Sequence, residues 1–213
     1  MVLALDESTS IIEHNANRDN WYKRMLGFAT DIVRAFSISP DLTQIGVLKF
    51  SDSARVSFYL NTHTTSADVT AAINGLIIGL GNTNIADALR MARTQLFSDQ
   101  NGARPGVPKI LILITDGTAN IEELMTIPEA NTTKAAGIQI FTVGIGSEIK
   151  EEQLRTIATF RSYFYLATSF ATLSDVLQRL LNNSCGAIDT VATVPSPATP
   201  TITTAPDPGP TGM

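Results

Sequence analysis

One cysteine and two histidines are all that 213 residues supply of the softer metal ligands. That excludes a structural zinc site, and a lone cysteine can form no disulfide framework within the chain. Basic residues are few and scattered, 15 Lys and Arg against 20 acidic residues for a net charge of -5, so no cationic stripe can follow a phosphate backbone and nucleic acid is excluded as a partner. No apolar run approaches the ~20 residues a membrane-spanning helix requires. Met1 leads straight into an apolar strand without a basic segment and signal-peptide core, which fits either a cytosolic protein or a secreted one whose start is missing.

Nucleotide loops are missing too. The first strand is not followed by G-x-G-x-x-G, nor does G-x-x-x-x-G-K-[ST] occur, and the G-x-G of "TVGIGSEI" closes a late strand instead. Ser8 and Ser10 lack the G-x-S-x-G elbow of a nucleophile. His14 and His63 lie in polar stretches, and His14, though near Ser10, has no evident group to orient it. The chain reads as a non-enzyme.

What remains is a regular alternation of strands and helices, with 44% apolar residues giving one well-buried domain. Residues 2–6 form an apolar strand. Trp21, Met25, Phe28, Ile32 and Phe36 then recur on one face of a helix over about 20–36, with Asp19–Asn20 as its N-cap. "QIGVLKFS" and "ARVSFYL" are too close together for a parallel crossover and predict an antiparallel hairpin. Helices follow at 66–74 and 84–97. The strand 109–115 is almost wholly Ile and Leu, as expected with helices on both faces of the sheet. Pro128 predicts a helix start near 129, Gly137 its end, and "IQIFTVGIG" the next strand. A helix at 150–158, the strand "YFYLA" and a final helix bearing Leu173, Val176, Leu177, Leu180 and Leu181 complete the series. The fold class is α/β: a doubly wound, mostly parallel six-stranded sheet with one antiparallel edge strand and helices on both faces. From Gly186 the composition changes, with six of the ten prolines, seven threonines and only two charged residues following it. Residues 186–213 read as a disordered linker or tail, either an O-glycosylated stalk or an unmodified segment.

The chemistry gathers at strand ends. Asp6, Ser8 and Ser10 alternate in "DESTS", where the first strand ends; Asp116 ends "KILILITD"; and Thr83 stands before a helix in the glycine-rich "GLGNTNIADAL". Taken singly, the serines suit turn or capping roles and Asp116 a strand-ending Asp-Gly turn. Taken together, two carboxylates and three hydroxyls make an all-oxygen octahedral set suited to Mg²⁺ or Mn²⁺. Hydroxyls contribute no charge. The cation would stay electrophilic and could accept an acidic side chain from a partner.

Asp6-x-Ser8-x-Ser10, Thr83 and Asp116-Gly117 resemble the metal-ion-dependent adhesion site of the von Willebrand factor type A domain family, over residues 1–185. The resemblance implies strand order 3-2-1-4-5-6 with strand three antiparallel, and cation-dependent protein binding without catalysis. It implies Ser8 and Ser10 as direct ligands, Thr83 as direct or water-mediated, and Asp6 and Asp116 as acting mostly through water. A Glu or Asp of the partner would complete the shell. The strands are most similar to those of extracellular-matrix members such as matrilins and the A domains of type VI collagens. The helix insertion that marks collagen-binding integrin domains is absent after "TVGIG". Where the family usually has glycine after its first aspartate, Glu7 stands here, expected to point away from the cation but to add negative charge at the rim.

By the same resemblance, Cys185 would pair with a cysteine upstream of the first strand; an idle thiol and an intermolecular disulfide remain open. Asn131-Thr132-Thr133 and Asn182-Asn183-Ser184 are glycosylation sequons. With the tail, they point to a secreted protein of the extracellular matrix or to the ectodomain of a surface protein. Three functions fit: a cation-dependent adhesion or matrix-assembly module, a structural module that does not use its metal site for ligands, and a regulatory domain of a larger enzyme or complex.

Overall fold

The computed structural model describes residues 1–13 and 19–192, leaving out the side chains of Glu13, Asp175 and 184–192. In chain order the elements are β1 (Val2–Asp6), α1 (Ser10–Glu13), wide π-type turns at Asn20–Met25 running into α2 (Leu26–Arg34), β2 (Gly46–Phe50), β3 (Ala54–Phe58), α3 (Ser66–Asn74), α4 (Ile85–Met91), β4 (Lys109–Thr115), α5 (Glu123–Ala135), β5 (Ile138–Ile145), α6 (Glu151–Ile157), β6 (Phe164–Ala167) and α7 (Leu173–Ala192).

The strands form one sheet in the order β3-β2-β1-β4-β5-β6. All pairings are parallel except β2–β3, where the short connection enforces a hairpin. Because successive strand residues face opposite sides, β1 splits its apolar set between two cores. Leu3 and Leu5 pack with Trp21, Met25, Ile32 and Leu180 beneath α2 and α7, whereas Val2 and Ala4 pack with Leu89, Leu96 and Ile157 beneath α4 and α6. Burial on both faces explains why β4 reads as a continuous Ile/Leu run rather than an alternation.

Four local expectations change. Asp19 has helical backbone angles and makes no capping bond to the helix it was expected to start; Asn20 Nδ2 instead donates to the Ile11 carbonyl at 3.2 Å. The short α1, just after β1, was not foreseen. α5 begins at Glu123 rather than after Pro128, which lies inside it. A proline there costs one bond, to the Leu124 carbonyl in the first turn of an outer helix, and Leu124 is 91% exposed. Gly137, at φ 76°, does end that helix. Finally, α7 continues past Gly186 to Ala192, so the linker boundary expected at Gly186 falls inside a helix. His14 and residues 193–213 lie outside the described residues.

Candidate metal centre

β1 and β4 are the two central strands, and chain connections leave their carboxyl ends in opposite directions, the place where doubly wound sheets keep a crevice. Leu5 is in register with Ile114, so Asp6 and Thr115 come side by side, and Thr115 Oγ1 donates to Asp6 Oδ2 at 2.5 Å. The other carboxylate oxygen, Asp6 Oδ1, accepts from Ser8 N–H at 2.8 Å. Ser8 Oγ lies 3.0 Å from Ser10 Oγ, which donates to Asp116 Oδ1 at 2.7 Å. Thr83 arrives from a separate loop. A Cβ on Gly117 would lie 3.1 Å from Thr83 Oγ1, 3.7 Å from Ser10 Oγ and 3.9 Å from Asp6 Oδ2. All five residues singled out in the sequence therefore border one small space.

The loop after β1 alternates in what it does as well as in where it points. Asp6, Ser8 and Ser10 turn inward, while Glu7 and Thr9 grip the surroundings. Thr9 Oγ1 donates to the Gly81 carbonyl at 3.1 Å and accepts from Gly81 N–H at 3.0 Å, and Thr9 N–H donates to the same carbonyl at 2.9 Å. Glu7 is completely buried between Lys49 Nζ, 2.7 Å away, and Arg55 Nη2, 2.5 Å away. The expected negative charge at the rim is thus corrected: Glu7 does point away from the site, but two cations from β2 and β3 neutralise it. Lys49 Nζ also donates to the Ile77 carbonyl at 2.5 Å, tying this group to the loop that leads to Thr83.

Three further residues, Asn120, Asp52 and Thr115, escaped the sequence reading. Asn120 holds Thr83 on both sides: its Oδ1 accepts from Thr83 N–H at 2.9 Å and its N–H donates to the Thr83 carbonyl at 3.0 Å. Asp52 accepts from the Asn82 backbone and side chain at 2.9 and 2.8 Å, and these bonds hold its carboxyl below the usual range. Thr115 had a visible signal, being the one polar residue to end an otherwise apolar buried strand after Lys109. Asn120 and Asp52 had none, since Asn and Asp in loops are ordinary turn residues.

Burial pushes the Asp6 carboxyl from 3.8 up to about 6, against the opposing pull of its hydrogen bonds from Ser8 and Thr115. Among the described residues no cation pairs with it, unlike Glu7. The spacing suits an ion as well. In an octahedral shell with metal–oxygen distances of ~2.1 Å, neighbouring ligand oxygens lie ~3.0 Å apart. The Ser8–Ser10 and Ser10–Asp116 separations are 3.0 and 2.7 Å. Among the described residues no group of three His, Cys, Asp or Glu side chains could hold a metal, so any cation here relies on hydroxyls. The donor set therefore fits a hard cation such as Mg²⁺ or Mn²⁺.

The von Willebrand factor type A domain model matches residues 1–179, which includes every one of these oxygens. The chain belongs to that family. Chicken (Gallus gallus) matrilin-1 is 31% identical over 188 residues, covering 87% of this chain and 36% of matrilin-1. The mouse (Mus musculus) collagen alpha-6(VI) chain is 30% identical over 187 residues, 87% of this chain and 8% of the collagen. The chain thus spans about a third of one curated relative and a small part of the other. Among solved structures, proximal thread matrix protein 1 from the mussel byssus, with a zinc-occupied metal-ion-dependent adhesion site, superposes with a TM-score of 0.80 at 31% identity, covering 86% of this chain and 47% of that one. These relatives are extracellular matrix proteins, not enzymes.

The remaining candidates lie apart from this von Willebrand factor type A centre. Asn131 is exposed on α5 and Asn182 on α7, while Cys185 falls in α7 with its side chain outside the described set. His63 stacks edge-on against Phe58, 4.9 Å between ring centres, and takes no part in the site. No helix among the described residues is long and apolar enough to cross a membrane.

Proposed function

We propose that this domain is a divalent-cation-dependent protein-binding module, for adhesion or matrix assembly, in an extracellular multidomain protein. Asp6, Ser8, Ser10, Thr83 and Asp116 would hold Mg²⁺ or Mn²⁺, and an acidic side chain of an extracellular protein ligand would complete the shell. When bound, the cation supplies a positive centre for that carboxylate. The chain's own residues supply orientation: Thr115 and Ser8 N–H fix the Asp6 carboxylate, and Asn120 fixes Thr83. The observation that carries this reading is the meeting, around one space, of five oxygen-bearing side chains from three separate loops, with no ion pair to Asp6 among the described residues. Residues 1–185 would form the functional unit. Asn131 and Asn182 would carry N-linked glycans, and Cys185 a disulfide to a cysteine upstream.

Thermal unfolding with and without Mg²⁺ or Mn²⁺ tests the site. A ligand at a hundred times its Kd stabilises the folded state by about 2.7 kcal/mol. The wild type should show a rise of this order, and Asp116→Ala none. The immobilised domain should then retain matrix proteins from a tissue extract in Mg²⁺ and release them in EDTA. Retention unchanged in EDTA would favour a structural module instead.

A further inference from the structure

A cleft of about 360 Å³ opens directly beside the candidate metal centre, and Ser10 and Asp116 form part of its wall. Its other walls come from the start of the π-type turns before α2, from the loop after β5 and from the loop between β6 and α7. Ile145, fully buried, and Phe170, packed against the core, give it an apolar floor. Arg24 and Glu148, both exposed, stand at the rim with opposite charges. We propose that this cleft is a second subsite for the same partner, and that it takes a bulky apolar side chain next to the acid that reaches the cation. The inference rests on the cation reading of the preceding subsection.

The argument is one of continuity and chemistry. A ligand chain whose carboxylate reaches a cation held beside Ser10 and Asp116 comes to the edge of the adjoining cleft, because the two share a wall. In extended backbone, side chains two positions apart point the same way and lie roughly 6.5–7 Å from each other. A residue two positions from the acid is therefore the one that drops beside it. An apolar floor gains from covering an apolar side chain and gains nothing from a charged one. The two opposite charges at the rim remain in water and can serve the polar backbone of the ligand as it crosses. A second cleft of about 360 Å³ lies at the opposite end of the sheet, lined by Leu42, Leu60, Phe97, Arg104 and Val107 among others, but none of the five oxygen-bearing residues of the candidate centre lines it.

The test uses the whole chain and a displayed peptide library with a fixed central Glu and random flanks. The library is panned in Mg²⁺, and clones that also bind in EDTA are discarded. Enrichment of Leu, Ile, Phe or Trp two positions from the Glu is expected. Replacing that residue by Ala should weaken binding about tenfold to a hundredfold, the scale of burying one large apolar side chain. Ala171→Trp, which fills the cleft from its exposed edge, should remove the apolar preference and leave the Mg²⁺-induced thermal shift unchanged. Mg²⁺-dependent binders that show no flanking preference, or that bind Ala171→Trp equally well, overturn the subsite and leave the cation reading standing. A complete lack of Mg²⁺-dependent binders overturns both. Peptide binding that falls as the domain concentration rises would assign the cleft to a second copy of the chain, and would also overturn the proposal.

Discussion

Asp6 and Glu7 are neighbours in the sequence and both are fully buried, yet they meet opposite electrostatic fates. Glu7 turns toward β2 and β3 and is answered by Lys49 and Arg55. Asp6 turns toward the crevice and among the described residues is answered by neutral donors, Thr115 and Ser8 N–H, while burial lifts its carboxyl to about 6. One face of the five-residue loop is a finished structural joint. The other is left incomplete. Burying a carboxylate without a counter-charge is costly, and a cation from outside would offset that cost.

Breaking the finished face should have the largest effect. Glu7→Ala leaves Lys49, 15% exposed, without its buried partner; losses of about 3–5 kcal/mol are usual for such a break. A value near the lower end is expected, because Arg55 is 56% exposed and can turn to water. Urea unfolding measures it. A reduced Mg²⁺-induced stabilisation of the remaining folded protein would show the two faces coupled, since Glu7 shares its lysine with the Thr83 loop; an unchanged gain would show them separate.

The unfinished face should behave in the reverse sense. Without a cation, the folded protein binds more protons than the unfolded chain between the ordinary Asp value of 3.8 and the Asp6 value of about 6. The contribution of Asp6 to stability is then highest at low pH and falls as pH rises through that window, by about 3 kcal/mol for a shift of some two units. Asp6→Asn should flatten this slope, raise cation-free stability at pH 7 by about 2 kcal/mol, and abolish the gain from Mg²⁺. Cation-free unfolding measured from pH 4 to pH 7 would show it, and an unchanged slope in the variant would mean that Asp6 is not the group responsible.

Smaller changes sharpen the contrast. Asn120→Ala strips Thr83 N–H of its acceptor and should cost about 1 kcal/mol of stability, while calorimetric titration with Mn²⁺ shows a several-fold weaker site. Arg55→Met should cost less than about 1 kcal/mol, as expected for a largely exposed ion pair, and less than Lys49→Met in the same denaturant series.

How much of this was legible in the sequence depended on the range of the cause. β4 announced itself because a strand covered on both faces has to be apolar throughout, and the hairpin β2–β3 because its connection is short. The five oxygens could be picked out because each stands where a strand ends or a helix begins. The helix containing Pro128 could not be read, because proline marks a helix start only by statistical preference and here one missing bond near the exposed first turn is tolerated. α1 spans only Ser10–Glu13, too short for any periodicity to reveal. The neutralisation of Glu7 was equally hidden: Lys49 and Arg55 lie more than forty positions away, and only the sheet order brings them to it.

Gly117 shows how narrow the margin around these oxygens is. Its backbone angles are open to any residue, so nothing about chain flexibility requires glycine there. What matters is the 3.1 Å that would separate an added carbon from Thr83 Oγ1. The centre is therefore defined partly by an atom that is missing, and its tolerance is a few tenths of an ångström. A single methyl group, carrying neither charge nor hydrogen bond, is enough to press on the threonine and alter the space that the five oxygens border.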